Sequence, residues 1–256
     1  MKKIHLLFLA VIFYACGTSA QNVKINVYAG GNFAIGDYSS VVMQNGDVMC
    51  WGLKDRSRLG GAGSGVNTGI SLNWIAPDFS KLRLFISADF YYNSLNHALK
   101  DYKNRLWVSN SNTYDTYRQR FPAYFNIPVQ LGMGCDFYSP VPYITFFAQA
   151  GFGANLRILT HSSEQWNLYN TSSEASTYEE TYDPKTSFAY SLGFGVLFFE
   201  KLSLELQYVD LGAAEVSSSS SLEYSTPEGD KSIELLEHIN GRIHPTMISL
   251  RLGFRF

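Results

Sequence analysis

P-T-M-I-S-L-R-L-G-F-R-F, which runs from Pro245 to Phe256, alternates in the manner of an amphipathic β-strand. From Ile248 onward every even-numbered residue is large and apolar, whereas the odd-numbered residues are serine, arginine or glycine. Successive side chains of a strand point to opposite faces, so one face of this strand is wholly apolar and the other is small or cationic. The segment predicts a strand that separates an apolar environment from a polar one.

Seven earlier segments show the same alternation, and in none of them does the face with the large residues carry a charge. The opposite face is rich in Gly, Ser, Asn and Gln, with a few ions. A soluble barrel or sandwich would bury its large residues and expose its charges, whereas a barrel in lipid does the reverse. The predicted strands are Val23–Ile35, Val66–Ala76, Leu82–Tyr92, Phe121–Gly134, Tyr143–Ile158, Ser187–Phe198 and Leu202–Tyr208.

The links between these segments alternate in length. Three are short, Pro77–Lys81, Cys135–Pro142 and Glu200–Lys201, and each of the other four exceeds twenty-five residues. Antiparallel strands that cross a bilayer produce this pattern, with turns on the periplasmic side and loops outside. We therefore predict an all-β fold, an eight-stranded antiparallel up-and-down transmembrane β-barrel with both chain ends in the periplasm.

The first twenty residues have the features of a secretory signal peptide. Lys2 and Lys3 precede an apolar run, which ends in small residues up to Ala20. Cleavage after Ala20 divides the chain into a signal peptide, 1–20, and a barrel domain, 21–256, that is exported to the outer membrane. Cleavage before Cys16, as in a lipoprotein, is the alternative.

Composition excludes some classes of protein. Aromatic residues make up 15% of the chain and charged residues 16%, a balance that favours contact with lipid. Without Lys2 and Lys3 the chain has 18 basic and 22 acidic residues, a formal charge of −4, so there is no basic excess for nucleic acid. Cys50 and Cys135 remain after cleavage, and we predict no disulfide because this topology places them at opposite ends of the barrel.

Local signals predict further features in the links and in one strand. Gln44-Asn45-Gly46-Asp47 is typical of a two-residue hairpin, whose arms are too short to span lipid, so eight strands are preferred to ten. Pro128 forfeits a ladder hydrogen bond, so we expect a local bulge there. The serine tract Ser217–Ser221 reads as solvated loop. Two flanking runs, Glu215–Ser225 and Ser232–Ile239, are expected to extend strands seven and eight, the second with a short helix as its alternative.

Two parts of the chain resemble known outer-membrane proteins. The closing residues Leu252, Phe254 and Phe256 resemble the insertion signal that barrel-assembly machinery reads. Ile127–Leu131, I-P-V-Q-L, and the following Pro142–Gly153 resemble strands of the Bacteroidetes outer-membrane β-barrel domain family, which includes PorT-like proteins and small OmpX-like barrels. The resemblance implies an integral outer-membrane protein and no single activity, and it carries over no catalytic residues.

Five charged residues are predicted to face the interior of the barrel. An eight-stranded barrel is just wide enough for side chains to fill it, and buried charges must pair. The favoured interpretation is therefore a structural ion network that fills the lumen, and the alternative is a gate in a narrow, porin-like pore. The residues are Arg83, Asp89, Glu205, Arg251 and Arg255.

Two other features bear on function. His161 and Ser163 have the His-x-Ser spacing of outer-membrane lipid A deacylases, but no second motif residue is identifiable, so we predict no enzyme. Aromatic residues in the links could form a recognition surface or part of the interfacial belt. They are Trp51, Tyr102, Tyr114, Tyr117, Trp166, Tyr169, Tyr178 and Tyr182.

We predict a monomer that acts structurally or as a surface-binding module. Its expected partners are the lipid bilayer, lipopolysaccharide, the barrel-assembly machinery and an extracellular ligand held by the loops. No cofactor, metal or nucleic acid is expected. A membrane-embedded lipid A-modifying hydrolase and a PorT-like subunit of a secretion or assembly machine are the alternatives.

Overall fold

The computed structural model describes residues 23–39, 43–44, 47–48, 61–75, 81–95, 114–120, 122–168, 175–226, 229–235 and 241–256. The strands of this part of the chain are β1 (Val23–Ala34), β2 (Met43–Gln44), β3 (Asp47–Val48), β4 (Ala62–Ile75), β5 (Leu82–Leu95), β6 (Tyr114–Arg120), β7 (Tyr124–Tyr138), β8 (Ile144–Leu159), β9 (Ser162–Leu168), β10 (Ala175–Tyr182), β11 (Lys185–Phe198), β12 (Leu202–Asp210), β13 (Ala214–Val216), β14 (Ser218–Thr226), β15 (Gly229–Leu235), β16 (Gly241–Ile243) and β17 (Thr246–Arg255). A single 3₁₀ turn, Gly36–Tyr38, follows β1.

Eight of these strands close into an antiparallel barrel in the order β1-β17-β12-β11-β8-β7-β5-β4. The closing pair runs from Asn26 opposite Arg255 to Ala34 opposite Met247. The predicted eight-stranded barrel is confirmed, with strand bounds that shift by a few residues. The largest differences are that the second barrel strand begins at Ala62 rather than Val66, and that the fourth ends at Tyr138 rather than Gly134.

The two faces of the barrel wall have opposite chemistry. Large apolar side chains point outward along every barrel strand, among them Leu252 and Phe254, which are 60% and 42% exposed. The alternate residues point inward, where Asn, Gln, Ser, Asp, Glu and Arg side chains are buried. A soluble domain does not expose a continuous apolar band of this kind, so the inverted arrangement is that of a transmembrane barrel.

The two ends of the barrel differ. The links β4–β5, β7–β8 and β11–β12 are short, and they lie at the same end as Val23 and Phe256; we call this the turn end. The four longer links leave the opposite end, which we call the loop end. No helix in the described part of the chain is long and apolar enough to cross a membrane.

The longer links form a second sheet, the loop-end sheet, with strand order β15-β14-β10-β9-β6. Three of its strands, β6, β9 and β10, adjoin β7, β8 and β11 in the chain and continue them beyond the barrel. The prediction that Ser217–Ser221 is solvated loop was wrong, because Ser218–Ser221 pair with Glu179–Tyr182. Residues 232–235 form strand rather than helix, and the rest of that prediction lies outside the described residues.

Two local predictions have opposite outcomes. Met43 pairs with Val48 and Gln44 with Asp47, which confirms the hairpin in the first link. The bulge predicted at Pro128 was wrong, because the pairs between β5 and β7 keep one register on either side of it. The β5–β7 ladder is interrupted there, while the ladder with β8 stays continuous. The missing N–H of proline thus costs pairing on one side without an inserted residue.

Candidate functional site

Arg251 is the centre of an ion network inside the lumen. Its side chain comes from β17 and bridges carboxylates of two other strands: Nη1 lies 3.1 Å from Asp89 Oδ1, and Nη2 lies 2.8 Å from Glu205 Oε2. The guanidinium also lies over the ring of Tyr28, 4.1 Å from the ring centre. The three charged side chains are less than a tenth exposed. Because removing a charge from water is costly, these contacts hold the charges in place.

Arg83 extends this network toward the turn end. Its Nη2 donates to Gln149 Oε1 at 3.0 Å, and Gln149 Nε2 donates to Glu205 Oε1 at 2.6 Å. Arg83 Nη1 lies 3.5 Å from Asp136 Oδ1, and the guanidinium lies 4.6 Å from the ring centre of Phe147. Asp136 and Gln149 were not among the predicted site residues, although Gln149 lies on the polar face of its strand.

Arg255 occupies the lumen without the ion pair that was predicted for it. Its Nε donates to Asn26 Oδ1 at 3.1 Å, and no carboxylate among the described residues forms a salt bridge with it. The side chain is 7% exposed. The structure therefore brings four of the five predicted residues together. Arg255 instead donates a hydrogen bond to the side-chain amide of Asn26.

Glycines on the lumen face make room for the charged side chains. A Cβ added at Gly134 would lie 2.5 Å from Arg83 Nε, and one at Gly69 would lie 2.5 Å from Asp89 Oδ1. A Cβ at Gly193 would collide with the carboxylate of Glu205. The small residues that alternate with large ones in the sequence thus define the space that the ions fill.

Hydrogen-bonded amides and hydroxyls fill the lumen farther toward the loop end. Neighbouring and facing strands contribute their partners, so each bond ties two parts of the wall together. The pairs are Asn67–Ser249, Tyr91–Gln207, Ser191–Gln130, Asn155–Asn126 and Asn32–Asn93, with donor–acceptor distances of 2.8 to 3.1 Å.

The loop end of the lumen is closed by an apolar plug. Its buried residues come from the ends of barrel strands and from the segments just beyond them. They are Tyr38, Ala62, Tyr91, Leu95, Tyr124, Leu159, Tyr182, Ala189, Val209, Leu211, Val216, Ile243 and Met247. The rings of Tyr38 and Tyr124 meet edge to face with centres 5.5 Å apart. Burial raises the pKa of Tyr38 well above its usual value, so this phenol stays neutral.

Arg157 fastens the plug to the barrel. Its guanidinium is buried and donates to the backbone carbonyl oxygens of Ile243, Ala214 and Glu215 at 2.9 to 3.1 Å. These acceptors belong to the paired strands β13 and β16. Arg157 alternates with large apolar residues on the polar face of its strand, but its role could not be predicted because its acceptors are backbone atoms.

The predicted insertion residues lie together on the outer surface at the turn end. Phe254 and Phe256 pack with ring centres 4.9 Å apart, and Leu252 points the same way one pleat earlier. The backbone N–H of Phe256 donates to Ile25 at 2.8 Å, so the last residue is still tied to β1. Their reading as a signal for assembly machinery stays a prediction.

His161 and Ser163, which have the His-x-Ser spacing, each lie beside residues of the loop-end sheet. His161 Nε2 lies 3.0 Å from Arg120 Nη1, and Ser163 lies in β9 opposite Arg120 and Glu179. Three or more His, Cys, Asp or Glu side chains do not converge as a metal site in the described ranges. Cys135 is a free thiol, while Cys50 lies outside those ranges.

The aromatic residues of the links fall into three groups. Tyr182 is buried in the plug, with its hydroxyl 3.3 Å from Ser162 Oγ. Four lie on strands of the loop-end sheet, and three lie outside the described residues. The four are Tyr114, Tyr117, Trp166 and Tyr178, and the three are Trp51, Tyr102 and Tyr169.

These features define a transmembrane β-barrel with a polar filled lumen and an apolar plug at one end. No protein-family model matches the chain, and no curated protein sequence matches it. Among solved structures it is similar to Neisserial surface protein A, at 13% identity and a TM-score of 0.38 over 91% of this chain and 96% of that one. A major outer membrane protein from Thermus thermophilus gives 11% identity and a TM-score of 0.38 over 91% and 99%. Similarities this weak carry no inference about activity.

Proposed function

We propose that the protein is an integral outer-membrane barrel that holds a binding surface, the loop-end sheet, outside the cell. The turn end then faces the periplasm. The observation that carries this proposal is that β6, β9 and β10 of the loop-end sheet lie only two or three residues from the barrel strands β7, β8 and β11, above a lumen that side chains fill. A wall built in this way presents a fixed surface and leaves little room for transport.

The exposed face of the loop-end sheet is suited to polar recognition. Glu179 and Thr181 of β10 are exposed, as are Ser219 and Glu223 of the neighbouring β14. Thr181 Oγ1 and Ser219 Oγ lie 2.8 Å apart, and so hold adjacent strands together on this face. A flat array of hydroxyl and carboxylate groups fits a hydrogen-bonding ligand such as a sugar or a polar protein surface.

The filled lumen argues against a conducting pore. Ions crossing it would have to break the contacts of Arg251 and then displace the apolar plug, in which Tyr38, Ile243 and Met247 are completely buried. We propose a structural role for the ion network, which stabilises the narrow barrel from inside. A gate would require the ion network and the apolar plug to move together.

Within the described ranges, no specific contact favours either alternative function. The His161 side chain is engaged with Arg120, which is not the arrangement of a hydrolase base beside its nucleophile. A role as a subunit of a secretion machine would need a partner-binding surface, and the loop-end sheet could supply one. The surface-binding proposal therefore includes another subunit of such a machine as one kind of ligand of the loop-end sheet.

Conductance tests the filled lumen directly. The full-length protein, reconstituted in a planar bilayer, is expected to give no discrete current steps. Arg157→Met, which loosens the plug, is the comparison variant. Stepwise conductance from the wild-type protein would contradict this part of the proposal.

Surface labelling tests the orientation. In a protein with Cys50 and Cys135 replaced by Ser, we introduce Ser219→Cys on the loop-end sheet or Lys201→Cys at the turn end, both exposed positions. A membrane-impermeant maleimide is expected to label Ser219→Cys in intact cells and Lys201→Cys only after lysis. The opposite result would reverse the proposed topology.

Pull-down of extracellular material then tests binding. The intact protein is compared with a Glu179→Lys, Glu223→Lys double variant that reverses charge on the exposed face. A ligand retained by the wild type and lost by the variant supports the binding role, whereas equal recovery by both places the ligand elsewhere.

A further inference from the structure

A small cavity in the turn-end half of the lumen is lined by more positive than negative charge. Its walls carry three guanidinium groups, from Arg83, Arg251 and Arg255, but only one carboxylate, that of Glu205. The cavity has a volume of about 20 Å³ for the centre of a water molecule. It is not sealed, because Asn26 and other half-buried side chains form part of its wall.

The single carboxylate is already occupied. Glu205 Oε1 accepts from Gln149, and Oε2 accepts from Arg251. Arginine only donates hydrogen bonds and carries five N–H groups, so each guanidinium in the cavity needs several acceptors. Neither oxygen of Glu205 forms a hydrogen bond or an ion pair with Arg83 or Arg255.

Four guanidinium nitrogens of the residues that line the cavity have no hydrogen-bond acceptor among the described residues. Arg83 Nε and Arg251 Nε are buried and have no hydrogen-bond partner. Arg255 is only 7% exposed. Its Nε donates to Asn26, and neither Nη group has an acceptor within the described residues. Asp136 lies 3.5 Å from Arg83, and Asp89 and Glu205 pair with Arg251, so Arg255 is the guanidinium of this cavity that no carboxylate of the described residues contacts. A buried charge without a counter-charge is costly, so Arg255 favours a bound anion.

We propose that this cavity binds a single halide-sized anion, with chloride as the physiological species, between Arg255 and Arg83. The volume of the cavity limits the class of ligand. A single water molecule needs roughly 10–15 Å³ of space for its centre, which is close to the volume found here. A chloride ion fits the available space, whereas a phosphate or an organic acid requires side chains to move. The anion supplies the contacting counter-charge that Arg255 lacks among the described residues and gives its Nη groups an acceptor.

Bromide, which is a heavier halide, serves as the probe. Crystals of the detergent-solubilised full-length protein grown in sodium bromide are expected to show an anomalous peak within hydrogen-bonding distance of Arg255. In solution, bromide or chloride is expected to raise the unfolding midpoint relative to gluconate at equal ionic strength, because a ligand of the folded state stabilises it. Arg255→Gln is expected to remove the peak and to weaken halide binding on the order of tenfold or more.

Two further variants keep the test decisive. Asn26→Asp places a carboxylate beside Arg255 Nε, so it is expected to displace the halide even if Arg255→Gln does not fold. Arg242→Gln, an exposed arginine at the loop end, is the matched control and should retain the bromide peak. A cavity that holds only water, or an equal halide effect on the unfolding midpoint in all variants, would overturn the proposal. Neither result depends on what the loop-end sheet binds.

Discussion

Arg251 is the residue whose loss should most disturb the lumen. Arg251→Met removes one cation and leaves the carboxylates of Asp89 and Glu205 buried without their partner. We expect a loss of about 3–5 kcal/mol in the free energy of unfolding, because breaking one side of a buried ion pair strands the other. Reversible urea unfolding in lipid vesicles measures it.

The triple variant Arg251→Met, Asp89→Asn, Glu205→Gln is the control for this prediction. It removes the uncompensated charges and should recover a large part of the lost stability. If Arg251→Met alone unfolds within about 0.5 kcal/mol of the wild type, which is the range of ordinary surface substitutions, the network has no structural role.

Two glycines of the barrel wall test the packing inside the lumen, because Gly193 faces the lumen whereas Gly31, the control, lies on the outer face opposite Leu250 and Val66. Gly193→Ala places a methyl group against the Glu205 carboxylate, which Gln149 and Arg251 hold in position, so we expect a cost of about 1–3 kcal/mol. Gly31→Ala meets nothing nearer than 3.8 Å and should be close to neutral. The same unfolding measurement compares them. Equal effects would show that the lumen has room to spare beside Glu205.

The sequence predicts which residues face the lumen, but not which of them meet. Period-two alternation places Asp89 and Arg251 on the inner face correctly. Their contact joins residues 162 positions apart, and it depends on the stagger of the closed barrel, which alternation does not determine. The same limit explains why Arg255 was expected to find a carboxylate and instead meets the amide of Asn26.

Among elements, the barrel strands were predictable, whereas the pairing of the loop-end sheet was not. Strands in lipid need one uniformly apolar face, so β11 and β17 have a strong pattern. Strand β14 contains the run Ser218–Ser221, whose composition is typical of solvated loops. It forms a strand because β10 supplies a pairing edge, so this is tertiary context overriding weak β-propensity.

The paired strands β13 and β16 should depend on Arg157. Arg157→Met removes three hydrogen bonds to backbone carbonyl oxygens of this pair, so the plug should open more often. We expect the amide hydrogens of β13 and β16 to exchange on the order of tenfold faster or more, as the loss of charge-assisted bonds of about 1.5–3 kcal/mol implies. Mass spectrometry of peptides spanning 214–216 and 241–243 measures the exchange.

Arg242→Met is the control for this exchange experiment, because Arg242 lies in the same β16 with an exposed side chain. It should leave the exchange rates almost unchanged. Equal acceleration by both variants would mean that general loss of charge, and not the carbonyl contacts of Arg157, controls the plug.

The whole molecule is stable only if its outer surface faces hydrocarbon. Exposed Leu, Ile, Val and Phe side chains cover the barrel exterior, and the charged network lies within. Both properties were visible in the sequence, since a face free of charge in eight consecutive strands is difficult to reconcile with water. An apolar exterior around a charged interior predicts how far a charge placed on the outer face should lower the free energy of unfolding at each position.

That cost should follow depth in the bilayer. Leu206 is the central residue of β12 and is 54% exposed, whereas Leu202 begins the same strand at the turn end and is 48% exposed. Arginine at the midplane of a barrel costs about 2–4 kcal/mol and near the interface about 0–1 kcal/mol. Leu206→Arg should therefore destabilise the folded protein in vesicles far more than Leu202→Arg does. Because the two leucines have similar exposure, a soluble β-structure would show similar losses of stability at both positions. Equal losses would therefore contradict a transmembrane barrel.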